Sequence, residues 1–221
     1  MSKNKLQRYA EVKELPNVIE LSNFNVGDHS NIRGNWQSDI FCNDNPITLE
    51  LACGKGDYIL ALAEKYPDRN FVGIDIKGDR IWKGAQVAAA NGLNNVRFLR
   101  VFIDHIRNYF APGEVSEIWI TFPDPYSSTT KEMKRLTSPH FLEKYREIIQ
   151  PGHCIHLKTD DQGLFNYTLE VLSLQKGKIL KQVNNVYARS DVPDILNIQT
   201  YYEQKHLNAG KTIRYIKFCF D

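Results

Sequence analysis

The chain has little cysteine. Its four, Cys42, Cys53, Cys154 and Cys219, stand far apart and form no Cys-x-x-Cys pair, so neither a zinc site nor a thioredoxin-type redox centre is expected. Separate thiols, with a polar first stretch from Met1 to Lys13 that has no apolar signal core, point to a reducing, cytoplasmic setting. No apolar run approaches the roughly 20 residues of a membrane span, so no membrane partner is expected. Internal repeats and low-complexity tracts are missing as well. So is an excess of either charge: 28 lysines and arginines face 26 acids, a formal net charge of +2. Total charge therefore decides little about a nucleic-acid partner, and the placement of the cations has to decide it. His153 and His156, three positions apart on a predicted strand, point to opposite faces and are not expected to share a metal ion.

What is present is an alternation of short apolar runs and helical periodicity, over a length suited to one α/β domain. Residues 1–45 read as a basic, irregular arm carrying Lys3, Lys5, Arg8 and Lys13 and punctuated by Gly27, Gly34 and Pro46. Residues 46–221 read as the domain. Strands are predicted at Ile47 to Ala52, Asn70 to Ile76, Val96 to Phe102, Glu117 to Phe122 and Cys154 to Lys158. Between and after them, helices are predicted at Tyr58 to Tyr66, Asp79 to Ala90, Ile103 to Phe110, Ser138 to Gln150 and Gly163 to Leu174. This alternation implies a mostly parallel sheet with helices on both faces. Near the end, Lys178 to Tyr187 and Thr212 to Phe220 read as an antiparallel strand pair around a helix at Ile198 to Leu207. Trp36, Phe41 and Trp82 read as packing residues.

The first strand runs into Glu50-Leu51-Ala52-Cys53-Gly54-Lys55-Gly56, a glycine turn that lets backbone approach a nucleotide-like ligand. Asp75 ends the second strand, where an acid binds ribose hydroxyls. A dinucleotide fingerprint wants a third glycine, and Ile59 stands there, which disfavours a nicotinamide enzyme. The acid Glu50 ahead of the glycines instead resembles the first motif of Rossmann-type methyltransferases. After the fourth strand, Phe122-Pro123-Asp124-Pro125-Tyr126 places a carboxylate and an aromatic at the sheet's carboxyl edge, where open α/β sheets bind ligands. A rigid turn capped by the Asp124 side chain is the alternative.

Taken in order, these motifs are followed by Lys134-Arg135-Leu136-Thr137, His156-Leu157-Lys158-Thr159-Asp160 and Thr200-Tyr201-Tyr202-Glu203. The ordered set, from about Asn43 to the C-terminus, resembles the bacterial tRNA (guanine-N7)-methyltransferase family. The resemblance implies a single Rossmann-like domain that uses S-adenosylmethionine and tRNA, with transfer to a variable-loop guanine. It implies cofactor contacts at Glu50, Gly54, Gly56, Asp75, Asp104 and Asp124, with Asp124 also catalytic. Substrate contacts are implied at Ser128, Asp160, Thr200, Tyr201, Tyr202 and Glu203. Three positions depart from the family's pattern. Ala52 replaces a glycine, Tyr126 replaces a tryptophan, and Ser127 to Thr130 lacks the family's basic residues, with Ser128 in place of a lysine.

Guanine N7 carries an available lone pair, so no general base is needed, and alignment with electrostatic adjustment suffices. Asp124 is then expected either to stabilise positive charge developing on the ring or to hold the guanine N1–H and amino edge. Asp160 and Glu203 are expected at that same edge, although Asp160-Asp161 also precedes a helix and suits its N-terminus. The phosphate-tracking candidates are Lys3, Lys5 and Arg8, then Lys131, Lys134 and Arg135, then Lys205, Lys211, Arg214 and Lys217. A monomer or homodimer is expected. Two competing functions remain, an RNA-binding protein with an inactive methyltransferase fold and a methyltransferase acting on another base atom.

Overall fold

Ile47–Leu51 (β2) buries every residue, as a strand covered on both faces and paired on both edges must. In the computed structural model, which describes residues 4–20, 32–188 and 192–220, β2 lies at the middle of an eight-stranded sheet. Its other strands are β1 (Val18–Ile19), β3 (Asn70–Asp75), β4 (Val96–Arg100), β5 (Val115–Thr121), β6 (Ile149–Thr159), β7 (Lys178–Val183) and β8 (Arg214–Cys219). The order is β1-β4-β3-β2-β5-β6-β8-β7. Pairing is parallel from β1 to β6, and β8 runs antiparallel to both β6 and β7. The predicted α/β class, the parallel strands and the antiparallel closing pair are all present.

The sequence order reverses at β2, because β3 lies on one side of it and β5 on the other. The crevice at the carboxyl ends of β2, β3 and β5 is therefore the topological switch point of the sheet. Helices α2 (Asp57–Lys65) and α3 (Gly78–Ala90) pack on one face, through Tyr58, Ile59, Leu62, Ile81 and Ala85. Helices α4 (Pro139–Ile148) and α5 (Gln162–Leu174) pack on the other, through Phe141, Tyr145, Leu164, Phe165 and Leu172. Ser138 with Pro139 opens α4, as predicted, because Pro fits the first helical position. The predicted helix over Ile103 to Phe110 is a 3-10 turn over Ile103–Asn108, kinked at His105.

The arm is where the structure corrects the sequence. Among its described residues, Lys5–Glu11 forms α1, opened by a reciprocal Asn4/Gln7 capping box. β1 adds a parallel edge to β4, and Trp36–Phe41 forms a π-helical stretch. Trp36 is fully buried, stacks on Phe110 at 4.9 Å and donates to the Tyr109 carbonyl at 2.8 Å. The arm therefore contributes to the core: Trp36 and Phe41 are buried as expected, and Val12, Val18 and Ile32, scattered through polar sequence, are buried with them. Gly27 and Lys3 lie outside the described residues.

Candidate active site

The β2–α2 turn is the first wall of the site. Ala52, Gly54 and Gly56 all have positive φ (55°, 60° and 71°), so the chain turns sharply from β2 into α2. Ala52 adopts the left-handed backbone that a glycine takes without strain, so the turn keeps its shape at an energetic cost carried by the alanine Cβ. A Cβ on Gly56 would approach Phe98 Cε1 to 2.7 Å, whereas one on Gly54 would meet nothing within 4 Å. Gly56 is thus a packing requirement, and Gly54 leaves open space where it lines a cavity.

Asp75, at the end of β3, fixes this turn. One carboxylate oxygen accepts from the Gly54 N–H at 2.9 Å and the other from the Lys77 N–H at 2.9 Å. Glu50 lies below it at 1% exposure, accepting from the Thr121 hydroxyl at 2.5 Å and the Ile59 N–H at 3.3 Å. Burial pushes the Glu50 carboxyl up to about 8, against the lowering pull of those two donors. The folded protein then holds a proton that the unfolded chain releases above its ordinary value of 4.5. Stability is therefore withdrawn as pH rises from about 4.5 to about 8, with a slope on the order of 1 kcal/mol per pH unit. Glu50→Gln is expected to flatten this slope in urea titrations at pH 5, 6.5 and 8. Parallel profiles for variant and wild type would show that Glu50 is ionised in the fold.

The second wall is Phe122–Tyr126, which leaves β5 through two non-glycine residues in the left-handed region, Phe122 (φ 48°) and Tyr126 (φ 43°). The loop is tied down from both sides. The Phe122 N–H donates to the Lys158 carbonyl at 2.8 Å, and Arg135 donates to the Pro125 and Tyr126 carbonyls while stacking 4.2 Å over Tyr167. Asp124 at its tip is exposed and, among the described residues, has no hydrogen-bond or ion-pair partner. The turn-capping alternative for Asp124 thus finds no bond here.

Two cavities of about 610 and 340 Å³ meet at this loop, sharing Ala52, Lys77, Arg80, Phe122, Pro123 and Asp124. The larger one also takes in Asp75, Phe102, Ile103 and Asp104, giving an apolar slot with acids along one side. The smaller one takes in Glu50, Gly54, Asp160, Thr200, Tyr201 and Tyr202. Asp104 is held by Lys144 and by His140 Nε2 at 2.6 Å, and hydrogen bonding from Lys144 keeps its carboxyl below the usual range.

Asp160 and Asp161 divide the two roles open to them. Asp161 caps α5 by accepting from the Leu164 N–H at 2.7 Å. Asp160 faces the smaller cavity, paired with Lys211 Nζ at 2.5 Å and His206 Nδ1 at 3.3 Å. Thr200 caps α6 (Tyr201–Asn208) by accepting from the Glu203 N–H at 3.1 Å. The exposed Tyr201 and Tyr202 rings stand at the mouth, with Lys55 4.4 Å over the first and Arg80 5.8 Å over the second.

Two expected substrate residues are placed elsewhere. Glu203 has no exposed surface; its carboxylate turns away from the cavities to Lys158 and Tyr187. The expected contact to a guanine edge is therefore not available to it here, because burial and two donors already occupy both oxygens. Ser128 lies in the exposed stretch after Tyr126, bonded to Thr130 Oγ1 at 2.8 Å, and lines neither cavity. Lys55, Lys77 and Arg80 are cavity residues that sequence reasoning passed over; the signal was their position, in the glycine turn and just after Asp75. Of the expected cations, Lys134 lines the larger cavity and Lys211 the smaller. His153 and His156 turn to separate partners, the Ser116 carbonyl and the Tyr215 hydroxyl, each at 2.7 Å.

The family model described as "Putative methyltransferase" matches residues 44–216. The tRNA (guanine-N(7)-)-methyltransferase of Christiangramia forsetii is 45% identical over 219 residues, covering 98% of each chain. The protein of the same name from Bacteroides thetaiotaomicron is 44% identical, covering 99% of this chain and 86% of that one. Among solved structures, the 16S rRNA methyltransferase KamB shares the fold, with a TM-score of 0.63 at 12% identity over 91% of this chain and 96% of that one.

Proposed function

The chain belongs to the tRNA (guanine-N(7)-)-methyltransferase family, and on that footing we propose that it transfers a methyl group from S-adenosylmethionine to N7 of a variable-loop guanine in tRNA. The observation that carries this reading is the pair of cavities meeting at Asp124, the larger mostly apolar with Asp75 and Asp104 on its wall, the smaller lined by Lys55, Lys211, Tyr201 and Tyr202 together with the acids Glu50, Asp57, Asp160 and Asp161. Two reactants brought together at a shared wall need little more than alignment when the nucleophile already has its lone pair.

The residues present fit the cofactor. Asp75 offers a carboxylate to ribose hydroxyls from the wall of the larger cavity, and Gly54, on the adjoining smaller cavity, has an open side that admits close approach of backbone. Glu50, buried and protonated on its own, is poised to ionise beside a cation, because an opposite charge lowers the cost of its charged form. S-adenosylmethionine, when bound, supplies a methyl group already activated on a sulfonium. Asp124 stands free to face positive charge developing on the guanine ring or to accept from its N1–H and amino edge. Asp160 accepts from that edge once Lys211 shifts to phosphate. Lys55, Lys77, Arg80 and Lys134 hold the RNA backbone, and Tyr201 and Tyr202 present faces on which bases stack. Such a substrate belongs in the cytoplasm.

The cofactor side is tested by thermal melting. S-adenosylmethionine at about 100 times its dissociation constant is expected to raise the melting temperature by several degrees, corresponding to roughly 2.7 kcal/mol, with no response to NAD(H). A rise with NAD(H) alone would refute the proposal.

A further inference from the structure

Lys158 sits where the two halves of the site join. Its carbonyl accepts from Phe122, the first residue of the Asp124 loop. Its side chain, with no exposed surface, leaves β6 on the other side of that join. Lys158 Nζ donates to the Leu196 carbonyl at 2.7 Å, to the Ile198 carbonyl at 3.0 Å and to Glu203 Oε1 and Oε2 at 2.7 and 2.8 Å. The Tyr187 hydroxyl donates to Glu203 Oε1 at 2.8 Å. One ammonium thus gathers the end of β6, the 194–198 turn and α6.

We propose that Glu203 is a positioning residue that, through Lys158 and Tyr187, fixes the Thr200–Tyr202 end of α6 at the mouth of the smaller cavity and makes no contact with the RNA. The proposal rests on the tRNA methyltransferase reading. A carboxylate meeting guanine needs at least one oxygen facing a cavity, and Glu203 lines neither cavity, has no exposed surface and turns its oxygens to Lys158 and Tyr187. The first turn of α6 is held from outside by a second carboxylate, since Asp57 accepts from the Tyr201 N–H at 3.0 Å. Tyr201 and Tyr202 are consequently presented from a helix end anchored on both sides, and losing the inner anchor lets them drift from the cavity. Burial raises the Glu203 carboxyl and lowers the Lys158 ammonium while each charge favours the other, so removing either partner alone strands a buried charge.

The test compares wild type, Glu203→Gln, Lys158→Met/Glu203→Gln and Tyr187→Phe in steady-state tRNA methylation. In the double variant the buried charge is gone, and a Gln amide can donate to a freed carbonyl while its oxygen still accepts from Tyr187. Glu203→Gln is expected to raise KM for tRNA roughly tenfold with kcat within about threefold, as misplacement of a binding element does. The double variant is expected to return KM to within about threefold of wild type, and Tyr187→Phe to raise it severalfold. A folded double variant as impaired in KM as Glu203→Gln would mean that the carboxylate itself touches tRNA, and would overturn the proposal. So would an unchanged KM in Tyr187→Phe, which loses one bond of a half-exposed side chain and so decides the matter if the buried variants fail to fold. Wild type forming no 7-methylguanosine would refute the functional reading instead.

Discussion

Replacing Gly84 by alanine is expected to destabilise the protein by about 3 kcal/mol, lowering its melting temperature by roughly 6 to 12 °C. Helix propensity alone predicts the opposite sign, since Ala in a helix interior is favoured over Gly by about 1 kcal/mol. Gly84 lies in α3 with ordinary helical backbone, and its value is the space it leaves. A Cβ there would stand 2.1 Å from the Lys55 carbonyl oxygen, 2.9 Å from its carbon and 2.8 Å from Phe98 Cζ. The first two are backbone atoms of the Gly54-Lys55-Gly56 turn, which Asp75 already ties to β3, so they cannot yield as a flexible side chain does. The clash has to be relieved by moving α3 away from the turn, which displaces Lys77 and Arg80 from both cavities. S-adenosylmethionine affinity is expected to fall along with stability. A variant as stable as wild type in thermal melting would mean that α3 does not sit this close to the turn.

Asp124→Asn is expected to do the reverse, leaving the fold alone and removing turnover. Asp124 is exposed and has no partner among the described residues, so the amide breaks no bond and the melting temperature should stay within about 1 °C. Its neighbours hold the loop without it, through the Phe122 amide on Lys158 and the Arg135 side chain on the Pro125 and Tyr126 carbonyls. What the substitution removes is a negative charge at the meeting point of the cavities. Losing one preorganised electrostatic partner of a transition state costs about 10²- to 10³-fold in kcat. Single-turnover methylation of tRNA with saturating cofactor measures this, and an undiminished rate would remove Asp124 from the chemistry.

Much of this architecture is legible in the sequence because α/β folds announce themselves by alternation. The runs read as ending at Ala52, Ile76 and Phe122, each one residue past the observed strand end, locate the carboxyl edge of the sheet, and the acids and glycines standing there converge in space. Two kinds of feature were hidden. One is burial that composition masks. The polar arm conceals α1 and the buried Val12 and Val18, although Trp36 and Phe41 read as packing residues, and β1 has two residues, too few to show a period of two. The other is a motif with two physical meanings. Thr200-x-x-Glu203 is the spacing of a helix capping box as well as of a substrate motif, and Thr200 indeed caps α6. Which way the Glu203 carboxylate turns depends on Lys158, 45 residues away, and nothing local to α6 reveals that. Asp160 and Asp161 posed the same ambiguity, and α5 resolved it by taking the second as its cap.

On the proposed reading, the two cavities meeting at Asp124 bring a methyl donor to a tRNA guanine. The most direct test of that reading is incubation of the protein with labelled S-adenosylmethionine and unmodified bulk tRNA, followed by nucleoside analysis. Label is expected in 7-methylguanosine. Label in another methylated nucleoside, or none from folded protein that binds the cofactor, would contradict it.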